Sequence, residues 1–172
     1  WTPAVHLFTQ SGGKLKFREE DQVFIPNKYS SEQISIGACN GDLTLEDIIE
    51  NTPKYLKEFL NIKKTDYDSV EVFSSENKSK RNIWLLPSDK ILGKTKSFVD
   101  YQNDATAKDI KLALREGFRS IEHVKRYTTT GMGTDQGKLG NMHALGIISD
   151  TSGVKMSDLG TTTFRPPYTP LT

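Results

Sequence analysis

In the first forty residues the apolar positions fall in short runs separated by turn formers. Ser11-Gly12-Gly13 is a turn signal, and Val23–Ile25 is an apolar run closed by Pro26-Asn27. Gln33-Ile34-Ser35-Ile36 alternates polar and apolar with the two-residue period of a strand. This part is predicted to be strands and turns. From Thr44 the period becomes helical: Thr44 stands as N-cap, Asp47 completes a capping box, and Leu45, Ile48 and Ile49 open an apolar stripe. Leu56, Phe59 and Leu60 resume the stripe beyond Pro53, which is expected to kink the helix or split it in two.

Residues 61–82 are polar and rich in lysine and serine, with one strand-like stretch, Val70-Glu71-Val72-Phe73, which makes them the best linker candidate. The second half is helical. Thr106 and Asp109 form a second capping box, Ile110, Ala113 and Leu114 share one face, and Gly117 is placed to end the helix. Ser120 is placed to cap a short helix carrying Ile121, Val124 and Tyr127. A third helix is predicted from the register of Leu139, Met142, Leu145 or Gly146, and Ile148, ending near Gly153. The sum is a mixed α and β chain, with a short strand-rich part, a linker and a compact helical domain.

Composition narrows the chemistry. The 172 residues carry 23 Lys+Arg against 22 Asp+Glu, so net charge offers no global attraction to nucleic acid or to an anionic membrane surface. Apolar runs such as Ile83-Trp84-Leu85-Leu86 fall far short of the roughly 20 residues that a bilayer requires. One cysteine, Cys39, allows no internal disulfide and no thiolate metal cluster, which points to a reducing, cytoplasmic setting. His6, His123 and His143 lie far apart and suggest no metal site. Trp1-Thr2-Pro3 at one end and the proline-punctuated stretch to Thr172 at the other both read as the interior of a longer polypeptide.

Two segments have binding chemistry. The strand, glycine turn and helix over residues 33–49 place backbone N–H groups and a helix start where a dinucleotide could dock, although the full Gly-x-Gly-x-x-Gly fingerprint is absent. The loop Thr128–Lys138 combines hydroxyls, glycine backbone, an amide and Lys138, with Lys125 and Arg126 just upstream, the groups of a local phosphate nest. Its spacing is not that of a nucleoside-triphosphate P-loop.

Three stretches carry a resemblance. Trp84–Lys90, Phe98–Asp104 and His123–Thr129, continuing to Gly131-Met132-Gly133-Thr134-Asp135-Gln136-Gly137-Lys138, closely resemble the central region of heterotetrameric sarcosine oxidase alpha subunits. The opening Trp1–Leu7 is similar to the last part of that subunit's pyridine-nucleotide domain. Gly160–Pro170 is similar to the lead into its aminomethyltransferase-like folate domain. The middle also resembles the small helical domain that carries a two-iron two-sulfur cluster in related flavin amine dehydrogenases. Laid on this chain, the cluster's cysteine positions fall on Asp100, Gln102, Asp135 and Gly140, so the resemblance implies a retained scaffold without its iron–sulfur cluster.

The implied fold class is α+β, a strand-rich remnant of a dinucleotide-binding domain followed by a small helical domain. The implied limits are 1–60 for the nucleotide part, 61–97 for the linker, 98–153 for the helical domain and 154–172 for the lead into the folate domain. The implied activity is that of a complex that demethylates sarcosine oxidatively with O₂ and tetrahydrofolate. NAD would be bound by the alpha subunit, FMN would lie at its interface with the beta subunit, FAD would lie elsewhere in the complex, and gamma and delta subunits would complete it. On this chain the NAD candidates are Gly37, Ala38, Asn40 and Leu43. The FMN phosphate candidates are Arg126, Thr129, Thr130, Gln136, Gly137 and Lys138. No catalytic residue, metal, nucleic acid or membrane partner is expected. The alternatives are the large subunit of a related N-methyl amino acid dehydrogenase, or a cofactor-free interaction domain.

Overall fold

The computed structural model describes residues 2–62, 82–89 and 94–165. The chain divides into two compact units, Trp1–Arg81 and Asn82–Thr172. The strand-like stretch Val70–Phe73 and the lysine- and serine-rich run around it lie outside the described residues.

The first unit opens with a five-residue helix that the apolar pattern did not announce, α1 (His6–Gln10). Its Phe8 is buried and meets the Tyr29 ring edge-on at 5.0 Å. Gly13 permits this packing, because a Cβ there would sit 2.4 Å from the Phe8 ring. Strands β1 (Lys14–Arg18) and β2 (Val23–Lys28) follow as an antiparallel hairpin in the register Arg18↔Val23, Phe17↔Phe24, Lys16↔Ile25. Val23, Phe24 and Ile25 are all buried, so β2 is the apolar layer of this unit.

The expected strand at 33–36 does not form. Ile36 is extended (φ −131°, ψ 157°), but no strand pairs with this stretch among the described residues, and its four side chains are uniformly half-buried instead of alternating. It runs instead into a 3-10 turn, Gly37–Asn40. Helix α2 (Leu45–Leu60) begins where predicted, with the Asp47 N–H donating to Thr44 Oγ1 at 3.1 Å. Pro53 does not split it. Proline withdraws one N–H from the ladder, and since no residue of α2 is buried, water can satisfy the freed carbonyl. The predicted stripe therefore lies at the surface, with Leu45, Leu56, Phe59 and Leu60 exposed.

In the second unit, β3 (Phe98–Asp100) pairs antiparallel with β4 (Ala105–Thr106), and the chain enters α3 (Ala107–Arg115) through the predicted capping box. Thr106 Oγ1 accepts from the Asp109 N–H, while Asp109 Oδ2 accepts from the Thr106 N–H at 2.8 Å. Gly117, at φ +98°, ends the helix as expected, with the Phe118 N–H donating to the Ala113 carbonyl at 3.1 Å. Helices α4 (Ile121–Thr128) and α5 (Asn141–Ser152) pack on α3, and a last short helix, α6 (Met156–Leu159), packs on α5. Ser120 is the α4 N-cap by position, but its side chain makes no capping hydrogen bond.

Leu139 differs from expectation: it precedes α5 and is exposed, whereas Ala144 through Ile148 form an unbroken buried run. A run of five consecutive buried residues shows no stripe, which is why periodicity misplaced the start of α5. Ile110, Val124, Leu145 and Ile148 are the largest fully buried side chains and mark the core. The architecture is α+β, a strand-bearing part followed by a helical one, in keeping with the expected dinucleotide-domain remnant and helical domain. Among the described residues no helix is long and apolar enough to cross a membrane.

Candidate functional site

In the first unit, the four NAD candidates lie along the 3-10 turn and the approach to α2: Gly37 is buried, Ala38 exposed, and Asn40 and Leu43 half-buried. The turn is held from the hairpin side. Arg18 donates from Nη2 to the Gly41 carbonyl at 2.7 Å and pairs with Asp21 at 2.6 Å. Gly41 sits at φ +90°, and a Cβ there would come within 2.8 Å of Ile25, so the turn needs glycine at this position. Next to it Asp42 is buried, and its Oδ1 accepts from Asn51 Nδ2 at 3.0 Å. Its Oδ2 is also buried and has no hydrogen-bond partner among the described residues. A buried carboxylate oxygen in that state suits a ligand hydroxyl, the donor a nucleotide ribose presents. Tyr55 is pushed above its ordinary range by burial and then by the Asp42 charge, with a hydrogen bond from Asn40 opposing both.

In the second unit, the loop after α4 is organised by Asp100. This buried carboxylate accepts the Gln102 N–H at 2.8 Å and the Asn103 N–H at 3.2 Å on Oδ1, and the Gly131 N–H at 2.7 Å on Oδ2. Gln102 adds a second tie, donating to Thr134 Oγ1 at 2.9 Å and accepting the Asp135 N–H at 3.2 Å. Asp135 in turn accepts the N–H groups of Gly137 and Leu139 at 3.0 and 3.3 Å. Asp100, Gln102, Asp135 and Gly140 thus converge on one cleft of about 400 Å³, which Lys138 also lines.

A second cleft, of about 300 Å³, lies between α4 and residues 163–165. Lys125, Arg126 and Arg165 line it with Glu122, Gln136 and Met132. Glu122 Oε1 accepts the Thr163 N–H at 2.6 Å, and Oε2 pairs with Arg126 Nη1 at 2.9 Å. Burial pushes the Glu122 carboxyl up, but the Thr163 N–H, the Arg126 hydrogen bond and the nearby Lys125 and Arg126 charges together hold it below its usual range. Lys125 is pulled down by burial first, then by Arg126 and Arg165, against Glu122.

A carboxyl whose pKa is lower folded than unfolded stabilises fully above its unfolded value, about 4, and loses that contribution as pH falls through the folded value. The gap in unfolding free energy between the wild type and Glu122→Gln is therefore expected to be widest near neutrality and to close in acid. Urea denaturation at a series of pH values checks this; a pH-independent gap contradicts it.

The candidate phosphate residues do not face one place. Arg126 and Gln136 line the smaller cleft and Lys138 the larger. Thr130 is buried with its hydroxyl against Thr128 Oγ1 at 2.8 Å, and Thr129 donates to the Thr128 carbonyl at 2.6 Å. The Gly137 N–H is taken by Asp135. Sequence reasoning singled out neither Asp42 nor Asp100 as ligand or loop groups, nor Arg165. Burial of isolated acids leaves no local pattern, and Arg165 reaches its cleft from a segment about forty residues away in the chain.

Residues 94–172 match the family described as the sarcosine oxidase A3 domain. Over 98% of its length the chain is 38% identical to the alpha subunit of sarcosine oxidase from Rhizobium meliloti (strain 1021), and over 99% it is 33% identical to that from Corynebacterium sp. (strain P-1). Residues 94–172 thus carry a sarcosine oxidase A3 domain, and along nearly its whole length the chain is similar to a segment of sarcosine oxidase alpha subunits. It spans 17% and 18% of the length of these two relatives. The chain is also similar in fold to L-proline dehydrogenase from P. horikoshii, with a TM-score of 0.58 and 19% identity over 99% of the chain and 36% of that protein.

In this chain the four positions laid over cluster cysteines are adjacent in space but hold two carboxylates, an amide and a glycine. Their oxygen atoms accept backbone N–H groups, and a Cβ at Gly140 would sit 2.6 Å from the Val99 carbonyl oxygen. This donor set does not fit an iron–sulfur cluster, which requires thiolate or imidazole ligands.

Proposed function

We propose that the chain works as part of an alpha subunit in a flavin-dependent complex that demethylates sarcosine oxidatively to glycine with O₂ and tetrahydrofolate, giving hydrogen peroxide and 5,10-methylenetetrahydrofolate. Identity of 38% over nearly the whole chain to a protein named for that oxidase carries the proposal. The beta, gamma and delta subunits are the proposed partners, in the cytoplasm. NAD and FMN, when bound, supply redox chemistry; the residues of this chain bind and position. Gly37, Ala38, Asn40 and Leu43 form one wall of the NAD site, and the buried Asp42 Oδ2 supports that reading as an acceptor for a ribose hydroxyl. At the flavin, the cationic cleft that Arg126 and Gln136 line is the proposed phosphate side. FAD and the folate site are assigned to other parts of the complex.

A second reading, an enzyme acting on a different secondary amine, draws on a match of 34% identity over 40% of the chain to an opine oxidase subunit of Rhizobium meliloti (strain 1021). Native mass spectrometry of the protein purified from its natural source tests the main proposal. A large assembly with mass increments for flavin and NAD is expected, and a bare 19.3 kDa species would overturn it. In the same assembly Asp42→Asn is expected to lower retained NAD at least tenfold while flavin content holds, as read from cofactors released on denaturation. Unchanged NAD would remove Asp42 from the site. Sarcosine against an opine as substrate separates the two amine readings.

A further inference from the structure

We infer that the cleft between α4 and residues 163–165 binds a phosphate monoester, held by Lys125 and Arg165 with Arg126 behind them. The inference rests on the flavin proposal only for what the phosphate is attached to; the anion site itself stands on geometry.

Basic residues in the last turn of a helix are ordinary, because they complement the macrodipole, and on an exposed face they mean little. Two observations set this cluster apart. The third cation is not on the helix. Arg165 arrives from a segment that one hydrogen bond, Thr163 N–H to Glu122 Oε1 at 2.6 Å, fixes against α4. The cations also surround a concave space of about 300 Å³, where Lys125 is half-buried instead of extending into solvent.

Charge decides the ligand class. Glu122 is the acidic group lining the cleft, and both of its oxygens are engaged, Oε1 by Thr163 and Oε2 by Arg126. Arg126 is thereby committed to its ion pair and to the Glu122 carbonyl at 2.8 Å. Lys125 and Arg165 remain as an excess of two positive charges brought together in a small space. Such a pair repels itself, and a dianion relieves the repulsion. A phosphate monoester carries about −1.5 to −2 near neutral pH, with three acceptor oxygens for an ammonium and a guanidinium. A single carboxylate would neutralise half of the excess. Lys138, which sequence chemistry placed on the same anion, lines the other cleft.

The 172-residue chain, titrated at low ionic strength by calorimetry with inorganic phosphate, FMN and riboflavin, provides the test. Phosphate is expected to bind, more weakly as salt is added. Lys125→Ala and Arg165→Ala are each expected to weaken it about tenfold, whereas Lys108→Ala on the exposed side of α3 leaves it intact. Lys125→Gln serves as a second variant, and far-UV circular dichroism confirms that each variant is folded. FMN binding more tightly than phosphate, with riboflavin not binding, supports a flavin phosphate at this site. Phosphate binding with no gain for FMN supports the anion site and removes the flavin reading. No phosphate binding at millimolar concentration, or a loss confined to Lys138→Ala with Lys125→Ala and Arg165→Ala unaffected, overturns the inference.

Discussion

Replacing Asp100 by alanine is expected to lower the unfolding free energy by about 3 kcal/mol, the cost of removing a charged acceptor from buried backbone donors. The carboxylate takes three N–H groups, from Gln102, Asn103 and Gly131. The first two belong to the tight turn after β3, where water can replace part of what is lost. The Gly131 bond is buried, and it joins that turn to the loop after α4. Asparagine at position 100 keeps one acceptor but turns its amide hydrogens toward one of the N–H groups, so about 2 kcal/mol should still be lost. Urea denaturation of the chain measures both, and amide exchange at Gly131 locates the effect. If both substitutions stay within about 0.5 kcal/mol of the wild type, Asp100 is not what holds the loop.

Gly146→Ala is the second large effect, and two terms compete for its sign. Alanine in a helix interior gains about 1 kcal/mol over glycine. Against this, Trp84 lies directly on Gly146, so that a Cβ would fall 2.2 Å from the indole Cγ and Cδ2. An indole ring cannot flex out of the way, so it must leave its place, where it also meets His143 edge-on at 6.0 Å. Overpacking of this kind costs about 1 to 3 kcal/mol, and the lost indole contacts add to that. A net destabilisation of about 1 to 2 kcal/mol is expected. In a Trp1→Phe background, where Trp84 is the remaining tryptophan, its emission should shift to the red. A more stable variant with unshifted emission would show that the ring does not rest on α5.

These two contacts show what a linear reading reaches. Helix α3 was legible from end to end because each of its signals is local: Thr106 with Asp109 at one end, Gly117 at the other, and Ile110, Ala113 and Leu114 between. Of the hairpin, the apolar run Val23–Ile25 was legible for the same reason, while its partner β1 was not marked out. The stretch at 33–36 has the alternation of a strand, but a strand exists only when another pairs with it, and pairing is not written in the stretch itself. Leu139 was misplaced because the middle of α5, residues 144–148, is buried without a break and so has no stripe to phase. At the candidate sites, Lys125, Arg126 and the glycine turn were visible as residue types. That Arg165 joins Lys125 depends on Thr163 reaching Glu122, and that Asp42 is buried with Asn51 on its Oδ1 depends on how the turn folds onto its surroundings; neither is a matter of spacing.

Each of the two sheets has two strands among the described residues. Dinucleotide crevices of the doubly wound kind open at the carboxyl ends of several parallel strands, and the antiparallel pair β1–β2 has no such crevice. On the proposed reading, the turn at 37–43 would be half of a divided grip. The affinity of a divided grip is governed less by either half than by the effective concentration at which the rest of the assembly presents the other. Changes that shift how the turn is held, such as loss of the Arg18 tie to Gly41, act on that concentration as much as on any contact.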